Sequence, residues 1–531
     1  MMVLSCGDGE GVSSPANAGT GGADAGQDAD ASLGPDTGPD GAGGQDASED
    51  GAGGQDTAGG YPIDGSPFGF HSYGNYDDFL DLGATWYRGG TYIVWTWSDT
   101  DRTGEFHFRD ATAPPKPGVP GSGGPINYDR ERAGVPEGVN MLANVCPFRP
   151  GGVFQNATEK NTYAQFVAKM VERYDGDADL GCDYPAPDCY RVGDGEYPDS
   201  ETVERLAANP VRHWQVCNEV LEVCDDSTCM QTYAANFAEV QVLSYDAVKQ
   251  ADPEATVLIA GDSAMDLYPD VFAILAGTGV DVIDFHRFGE EQEYDPTEHL
   301  GYLRSSLLDS GFDSDRLRFW ITETGTWSGD PVNDTGGPDN NPFQDEKQHA
   351  SGMVKRYVSA LGVGIEKVFW AWGIREGFGC NCCLFDYTGL VYDGNQPPNA
   401  DGCDANDPYD LGAGVKKLGW YSFKLMREKL DGANGVWTLP SPQGTRLFRF
   451  ARSGKSVWVA WDDGATTGAG TPVSIEDIAT SHVRMTAAVP SVDAGLDVVD
   501  PTAAFETRDE HVVAGKVSLT ASYHPWFVEE L

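Results

Sequence analysis

Two apolar runs in this chain stop abruptly at acids. His213-Trp214-Gln215-Val216-Cys217-Asn218-Glu219 ends in an amide and a carboxylate, and Phe319-Trp320-Ile321-Thr322-Glu323-Thr324-Gly325 carries Glu323 at the same kind of exit. A solvated loop would be polar throughout and a core strand would stay apolar, so polar residues at a strand exit mark a site. Two carboxyl groups facing one pocket can divide labour. One, kept protonated, gives its proton to a leaving group, while the other, kept ionised, attacks carbon or activates water. Paired acids flanking a bound sugar are the equipment of glycosidic bond cleavage.

Such a pair must be held by a frame that brings distant segments to one mouth. From Tyr61 onward the chain alternates short apolar runs with helical stretches. The runs start at Pro67, Thr85, Gly138, Val211, Thr256, Val280, Leu317 and Lys367. Amphipathic helices are predicted over Tyr163 to Tyr174, Met230 to Gln250, His299 to Leu308, Asp345 to Leu361 and Val415 to Leu430. Alternating strand and helix implies a parallel sheet, and eight repeats let it close into an α/β (β/α)₈ TIM barrel. Active sites in that fold occupy the C-terminal strand ends. The polar residues of the runs gather there: Arg88, Asn218, Glu219, Asp262, His286, Glu323 and Trp372. By this count Glu219 ends strand four and Glu323 ends strand seven, roughly opposite across the mouth.

Three segments are therefore expected. Residues 1–60 are a lipoprotein-like start followed by a Gly/Asp/Ala-rich linker without Lys, Arg or an aromatic residue between Gly7 and Gly60, too polar to offset its ordering entropy and so predicted to be disordered. Residues 61–430 form the barrel. Residues 431–531, with alternating runs such as Thr445 to Arg452 and Ser456 to Asp463, read as a C-terminal antiparallel β-sandwich.

Charge narrows the partners. Against 35 basic side chains stand 83 acidic ones, a formal net charge of −48, which repels nucleic acid and anionic membrane surfaces. A neutral ligand such as a carbohydrate fits better, and 13 tryptophans offer both core and flat platforms for sugar rings. Neither a metal nor a cofactor is called for. Eleven cysteines, several close together (Cys182 with Cys189, Cys224 with Cys229, and Cys380, Cys382, Cys383 with Cys403), read as disulfides in an oxidising compartment. Cys6, within Val3-Leu4-Ser5-Cys6-Gly7, resembles the lipidated cysteine of a bacterial lipoprotein signal, so the only membrane contact expected is a lipid on Cys6 of a secreted or cell-surface protein.

An Asn-Glu after strand four with a Glu after strand seven resembles the signature of the clan A retaining (β/α)₈ glycoside hydrolases. Asp386 to Asp393, then Trp420 to Leu425, are similar to the last loop and helix of that clan, and the resemblance runs from Pro67 to Leu430. The branch it most resembles holds β-xylosidases and α-iduronidases, glycoside hydrolase family 39. The resemblance implies that Glu219 is the general acid/base, Glu323 the nucleophile and Asn218 a partner of the sugar 2-hydroxyl.

Around that pair, Arg88 is placed to hold Glu323 ionised, Trp372 to form a platform under the innermost sugar, and His286 and Trp327 to line the substrate site. The clan often has His-x-Tyr after strand six, with the phenol on the nucleophile, where this chain has His286-Arg287-Phe288. Tyr294 is the candidate replacement, and Arg287 hints at an acidic sugar. The competing function is a surface carbohydrate-binding lipoprotein on a glycosidase-like barrel that has lost turnover.

Overall fold

The computed structural model describes residues 60–531 apart from 73–74, 90–91, 101, 103, 115–123, 148–153, 178–197, 221–226, 262–266, 314–315, 332–340, 377–383, 396–406 and 466–469. The lipoprotein-like start and linker, Asp262, and all the cysteines paired above except the backbone of Cys229 lie outside the described residues.

All eight apolar runs are strands: β1 (Phe68–Ser72), β2 (Trp86–Gly89), β3 (Asn140–Cys146), β4 (His213–Val216), β5 (Thr256–Leu258), β6 (Val282–Phe288), β7 (Arg318–Gly325) and β8 (Ile365–Trp370). They pair in parallel in that order, and β8 returns to β1, so the barrel closes. A short segment, Ile93–Val94, extends the β2 side by pairing with the end of β3. Helices fill the outside: α1 (Tyr76–Leu82), α2 (Tyr128–Ala133), α3 (Ala157–Arg173), α4 (Ser227–Ala251), α5 (Tyr268–Leu275), α6 (Thr297–Asp309), α7 (Glu346–Gly362) and α8 (Leu418–Leu430). Their starts follow local chemistry. Asn156 caps α3 through Glu159 N–H, and Asp345 with Gln348 forms a reciprocal capping box at α7.

The strands alternate by the pleat. Outward residues such as Phe68, Phe70, Val145, Val216, Phe285 and Val368 pack under the helices. Inward residues form layers. The lowest is apolar: Trp86, Leu142, Leu258, Val282, Trp320 and Phe369 make one buried cluster, with Trp86 edge-on to Trp320 at 5.0 Å. Gly69 leaves room for it, since a Cβ there would overlap the Phe369 ring.

Beyond α8 lie β9 (Ala433–Thr438), β10 (Thr445–Arg452), β11 (Lys455–Asp462), β12 (Thr471–Ile475), β13 (His482–Ala487), β14 (Thr507–His511), β15 (Val517–Ala521) and β16 (Trp526–Glu530). The main antiparallel sheet runs β9-β10-β11-β16-β13-β14, and β12 pairs with β15 as a second, two-stranded sheet. The strand Tyr61–Pro62 adds to the free edge of β9. The chain thus enters through the C-terminal domain's sheet before starting the barrel. Among the described residues no helix is long and apolar enough to cross a membrane.

Candidate active site

Two residues above the apolar floor, the inward positions turn polar. Trp86 is followed by Arg88, Leu142 by Asn144, His213 by Gln215, Val282 by Asp284, and Trp320 by Thr322. The period of two that fills the floor with rings also stacks this polar layer directly upon it. Arg88 is its hub and is fully buried. Its Nε donates to Gln215 Oε1 at 2.8 Å, Nη1 to Glu323 Oε1 at 2.6 Å, and Nη2 to Asn218 Oδ1 at 2.5 Å. Nη1 also lies 3.2 Å from Nδ1 of His71, whose ring burial and the nearby guanidinium hold neutral. Asn144 donates to Gln215 Oε1 at 2.6 Å, and Gln215 donates to Asp284 Oδ2 at 2.5 Å.

The top layer carries the carboxylates. On β7, Ile321 pairs with Phe285 while Glu323 pairs with His286, so Thr322 is an extra residue and the strand bulges. The bulge turns Thr322 onto Asp284 and still delivers Glu323 to the mouth. On the opposite side Cys217 (φ 60°) and Glu219 (φ 40°) adopt left-handed backbone around Asn218, conformations that cost such residues on the order of 1 kcal/mol or more each. The turn is tied down by the Cys146–Cys217 disulfide and by Glu219 N–H donating to Gly261 O at 2.8 Å. The HWQVCNE run therefore breaks off because its last residues curl inward to present Asn218 and Glu219.

A carboxyl oxygen of Glu219, one of Glu323 and a ring nitrogen of His286 lie within 4.8 Å of one another. His286 Nδ1 is 2.6 Å from Glu219 Oε1 and 3.6 Å from Glu323 Oε2. Burial raises the Glu219 carboxyl to about 7, opposed by the charge of Arg88, and lowers the His286 imidazole to about 4. Glu323 is raised as well, by full burial first and then by Glu219, with His286 and Arg88 pulling it down. Only Glu323 touches a cation, so of the two it is the one equipped to hold negative charge. Its Oε2 is buried and has no hydrogen-bond partner among the described residues.

The remaining sequence-predicted residues divide. Trp372, just after β8, lies with its ring 4.8 Å from His71 and 5.6 Å from Phe385, at the edge of this cluster. Trp327 is buried in a wall and gives its indole N–H to Pro342 O at 2.9 Å. Tyr294 is a correction: its hydroxyl donates to Asp463 Oδ2 at 2.5 Å and receives Trp461 Nε1–H at 3.0 Å, so it ties the barrel to the C-terminal sheet and does not reach Glu323. Arg287 is another. Neighbour to inward His286 on a pleated strand, it turns outward onto His299 of α6, at 2.8 Å, and gives no hold on an acidic sugar.

Sequence reasoning missed His71, Asn144, Gln215, Asp284 and Thr322, although each is a polar residue inside an apolar run. It also missed Tyr92. Half-buried beyond β2, this phenol hydrogen-bonds Arg88 and feels the charges of Glu323 and Glu219, and burial raises its pKa. A tyrosine therefore does accompany the carboxylates, from the second strand's exit.

Glu219, His286 and Glu323 have the spacing of a metal group, as do Glu376, Asp393 and Asp410. In each an internal cation, Arg88 on Glu323 or Lys417 on Glu376, already supplies the balancing charge.

No protein-family model and no curated protein matches the chain. Its fold is shared with solved structures at low identity. The thermostable GH51 α-L-arabinofuranosidase of Thermotoga petrophila RKU-1 aligns with TM-score 0.53 and 12% identity over 89% of this chain and 98% of that one. A glucosidase from Croceicoccus marinus aligns at 0.51 and 13%, over 88% and 97%. The α-L-arabinofuranosidase of Thermotoga maritima aligns at 0.51 and 11%, over 90% and 93%.

Proposed function

We propose that this protein is a retaining glycoside hydrolase that cleaves poly- or oligosaccharides by double displacement. The observation that carries the reading is the asymmetry of Glu323: Oε1 is anchored by Arg88 at 2.6 Å while buried Oε2 is unpartnered, with a Glu219 oxygen close by. A bound sugar placing its anomeric carbon at Oε2 would meet an oriented nucleophile. Glu219, raised to about 7, protonates the glycosidic oxygen as the C–O bond breaks and Glu323 forms a glycosyl ester. Water, deprotonated by Glu219, then cleaves that ester and restores both groups. The close approach of the carboxylates supports direct attack, because inverting enzymes hold their acids about 6.5 to 9.5 Å apart to admit a water. Asn218, with Oδ1 committed to Arg88, keeps its amide hydrogens for a sugar hydroxyl, and Trp372 borders the innermost subsite.

The glycosidase names of the fold's neighbours support the same class. The cysteine-rich chain and the Cys146–Cys217 disulfide support an extracytoplasmic setting, and we read Cys6 as its lipid tether. Proton NMR of the first product, recorded before mutarotation on a panel of oligosaccharides, tests the mechanism. Retained configuration is expected. An inverted first product would make Glu323 a base, and absence of any hydrolysis alongside sugar binding would leave a carbohydrate-binding barrel.

A further inference from the structure

Asp284 takes no part in the mechanism above, yet it is fully buried beneath it. Two side chains connect it to the acid/base without a break: Glu219 Oε1 to His286 Nδ1 at 2.6 Å, His286 Nε2 to Thr322 Oγ1 at 3.2 Å, and Thr322 Oγ1 to Asp284 Oδ2 at 2.6 Å. The far end is fixed independently. Asp284 Oδ1 accepts Thr322 N–H at 3.0 Å, Oδ2 accepts Gln215 Nε2–H at 2.5 Å, and its backbone carbonyl accepts the Tyr268 hydroxyl at 2.6 Å.

Counting hydrogens decides how this chain is filled. Its three links need one hydrogen each. Neutral imidazole brings one and the threonine hydroxyl another, so one carboxyl must bring the third. With both acids protonated one hydrogen has no acceptor, and with neither protonated one link is empty. Two fillings satisfy every link. In the first, Glu219 O–H donates to Nδ1, Nε2–H donates to Thr322, and Thr322 donates to ionised Asp284. In the second, Asp284 O–H donates to Thr322, Thr322 donates to Nε2, and Nδ1–H donates to ionised Glu219. Moving one hydrogen along each link interconverts them, with no atom gained or lost.

We propose that Glu219 and Asp284 share a single proton through His286 and Thr322, so that Asp284 is a positioning residue that sets the proton affinity of the acid/base. The inference rests on the glycosidase reading only in naming Glu219 the acid/base. Burial agrees with it, raising Asp284 to about 8 and Glu219 to about 7. Other groups facing Asp284 do not take its proton. Gln215 can only donate from the Nε2 it presents, Arg88 is spent on Gln215, Asn218 and Glu323, and Glu323 acts on Asp284 through its charge alone. Gly261 shows how closely the chain is enclosed, since a Cβ there would overlap both the His286 ring and Asp284 Oδ2.

The test reads the imidazole. In protein labelled with ¹⁵N-histidine, the two fillings exchange with no change in proton count, so both ring nitrogens of His286 are expected at intermediate shifts across the rate plateau, and that average should change only at the alkaline limb, where the shared proton leaves. Asp284→Asn, with its amide oxygen accepting the Thr322 N–H and its NH2 donating to the Thr322 hydroxyl, should lock the hydrogen on Nδ1 and move the alkaline limb down by about one pH unit. Thr322→Val, which breaks the middle of the chain but keeps both carboxyls, should uncouple tautomer from rate. A single His286 tautomer from pH 5 to 9 in the wild type would overturn the proposal, as would an unmoved limb in Asp284→Asn. The NMR readout needs no turnover, so an active glycosidase with a fixed tautomer refutes the shared proton alone, whereas a mixed tautomer without hydrolysis refutes only the glycosidase.

Discussion

Glu219 and Glu323 are both buried, and the difference between them is one guanidinium. Arg88 touches Glu323 and not Glu219, which separates an anion from an acid more sharply than burial does. Glu219→Ala should slow substrates with poor leaving groups by roughly 10²- to 10⁴-fold, the usual share of general acid catalysis, and slow activated aryl glycosides far less. Azide should restore part of the loss as a glycosyl azide of retained configuration. Equal losses on both substrate types, with no rescue, would remove Glu219 from that role. The pH profile follows from the same two groups. Activity should fall as pH rises through about 7, where Glu219 loses its proton, and should fall in acid as Glu323 is neutralised. Stability shifts in the same direction on the alkaline side. An unfolded Asp or Glu loses its proton near 4, whereas the folded Glu219–Asp284 pair keeps the one it shares to about 7 to 8, so across that window the unfolded chain binds fewer protons and stability declines as pH rises. Melting temperatures measured from pH 5 to 8 should fall more steeply in the wild type than in Asp284→Asn.

At the scale of elements, the site depends on three local departures from regular strand: the Thr322 bulge, the left-handed Cys217-Asn218-Glu219 turn, and the close pass of Gly261 beside His286. Gly261→Ala should displace His286 and Asp284, cost about 1 to 3 kcal/mol as overpacking does, and lower kcat more than it raises KM. Unchanged melting and kinetics would mean that the enclosure yields freely. The Cys146–Cys217 bond closes a 71-residue separation, worth about 4 kcal/mol on chain entropy alone. Cys217→Ser should lower the melting temperature and loosen the turn that aims Glu219, with activity falling even at temperatures where the fold survives. The eight strands and the two acids were legible because period-two apolar runs and carboxylates at their ends are one-dimensional signals. The bulge, the disulfide and Tyr92 were not. Whether Thr322 counts as an extra residue is set by its neighbours' register, Cys146 and Cys217 meet only because β3 and β4 are adjacent, and Tyr92 reaches Arg88 from a segment that no run announces. Tyr294 failed for the same reason, since nothing local says that Trp461 and Asp463 will be its partners.

The whole molecule is less divisible than its sequence textures suggest. Along β10 and β11 the pleat alternates between two cores. Phe448, Phe450, Val457, Val459 and Trp461 join the barrel's apolar cluster together with Phe527 of β16, while Leu447, Trp458 and Ala460 pack under the two-stranded sheet. The main sheet is thus buried on both faces, and one of those faces is the barrel's own wall. Polar ties reinforce it: Tyr294 bonds Asp463, and the Lys355 ammonium of α7 sits 3.8 Å above the Tyr523 ring. Uncovering six large apolar side chains at about 2 kcal/mol each would consume a typical domain's net stability of about 5 to 15 kcal/mol. A chain ending at Gly432 is therefore expected to be insoluble or molten, and the intact protein to melt in a single calorimetric transition with matching van't Hoff and calorimetric enthalpies. Two resolved transitions, or a soluble 60–432 fragment that keeps hydrolytic activity, would show instead that the sheet is an independent module resting on a self-sufficient barrel.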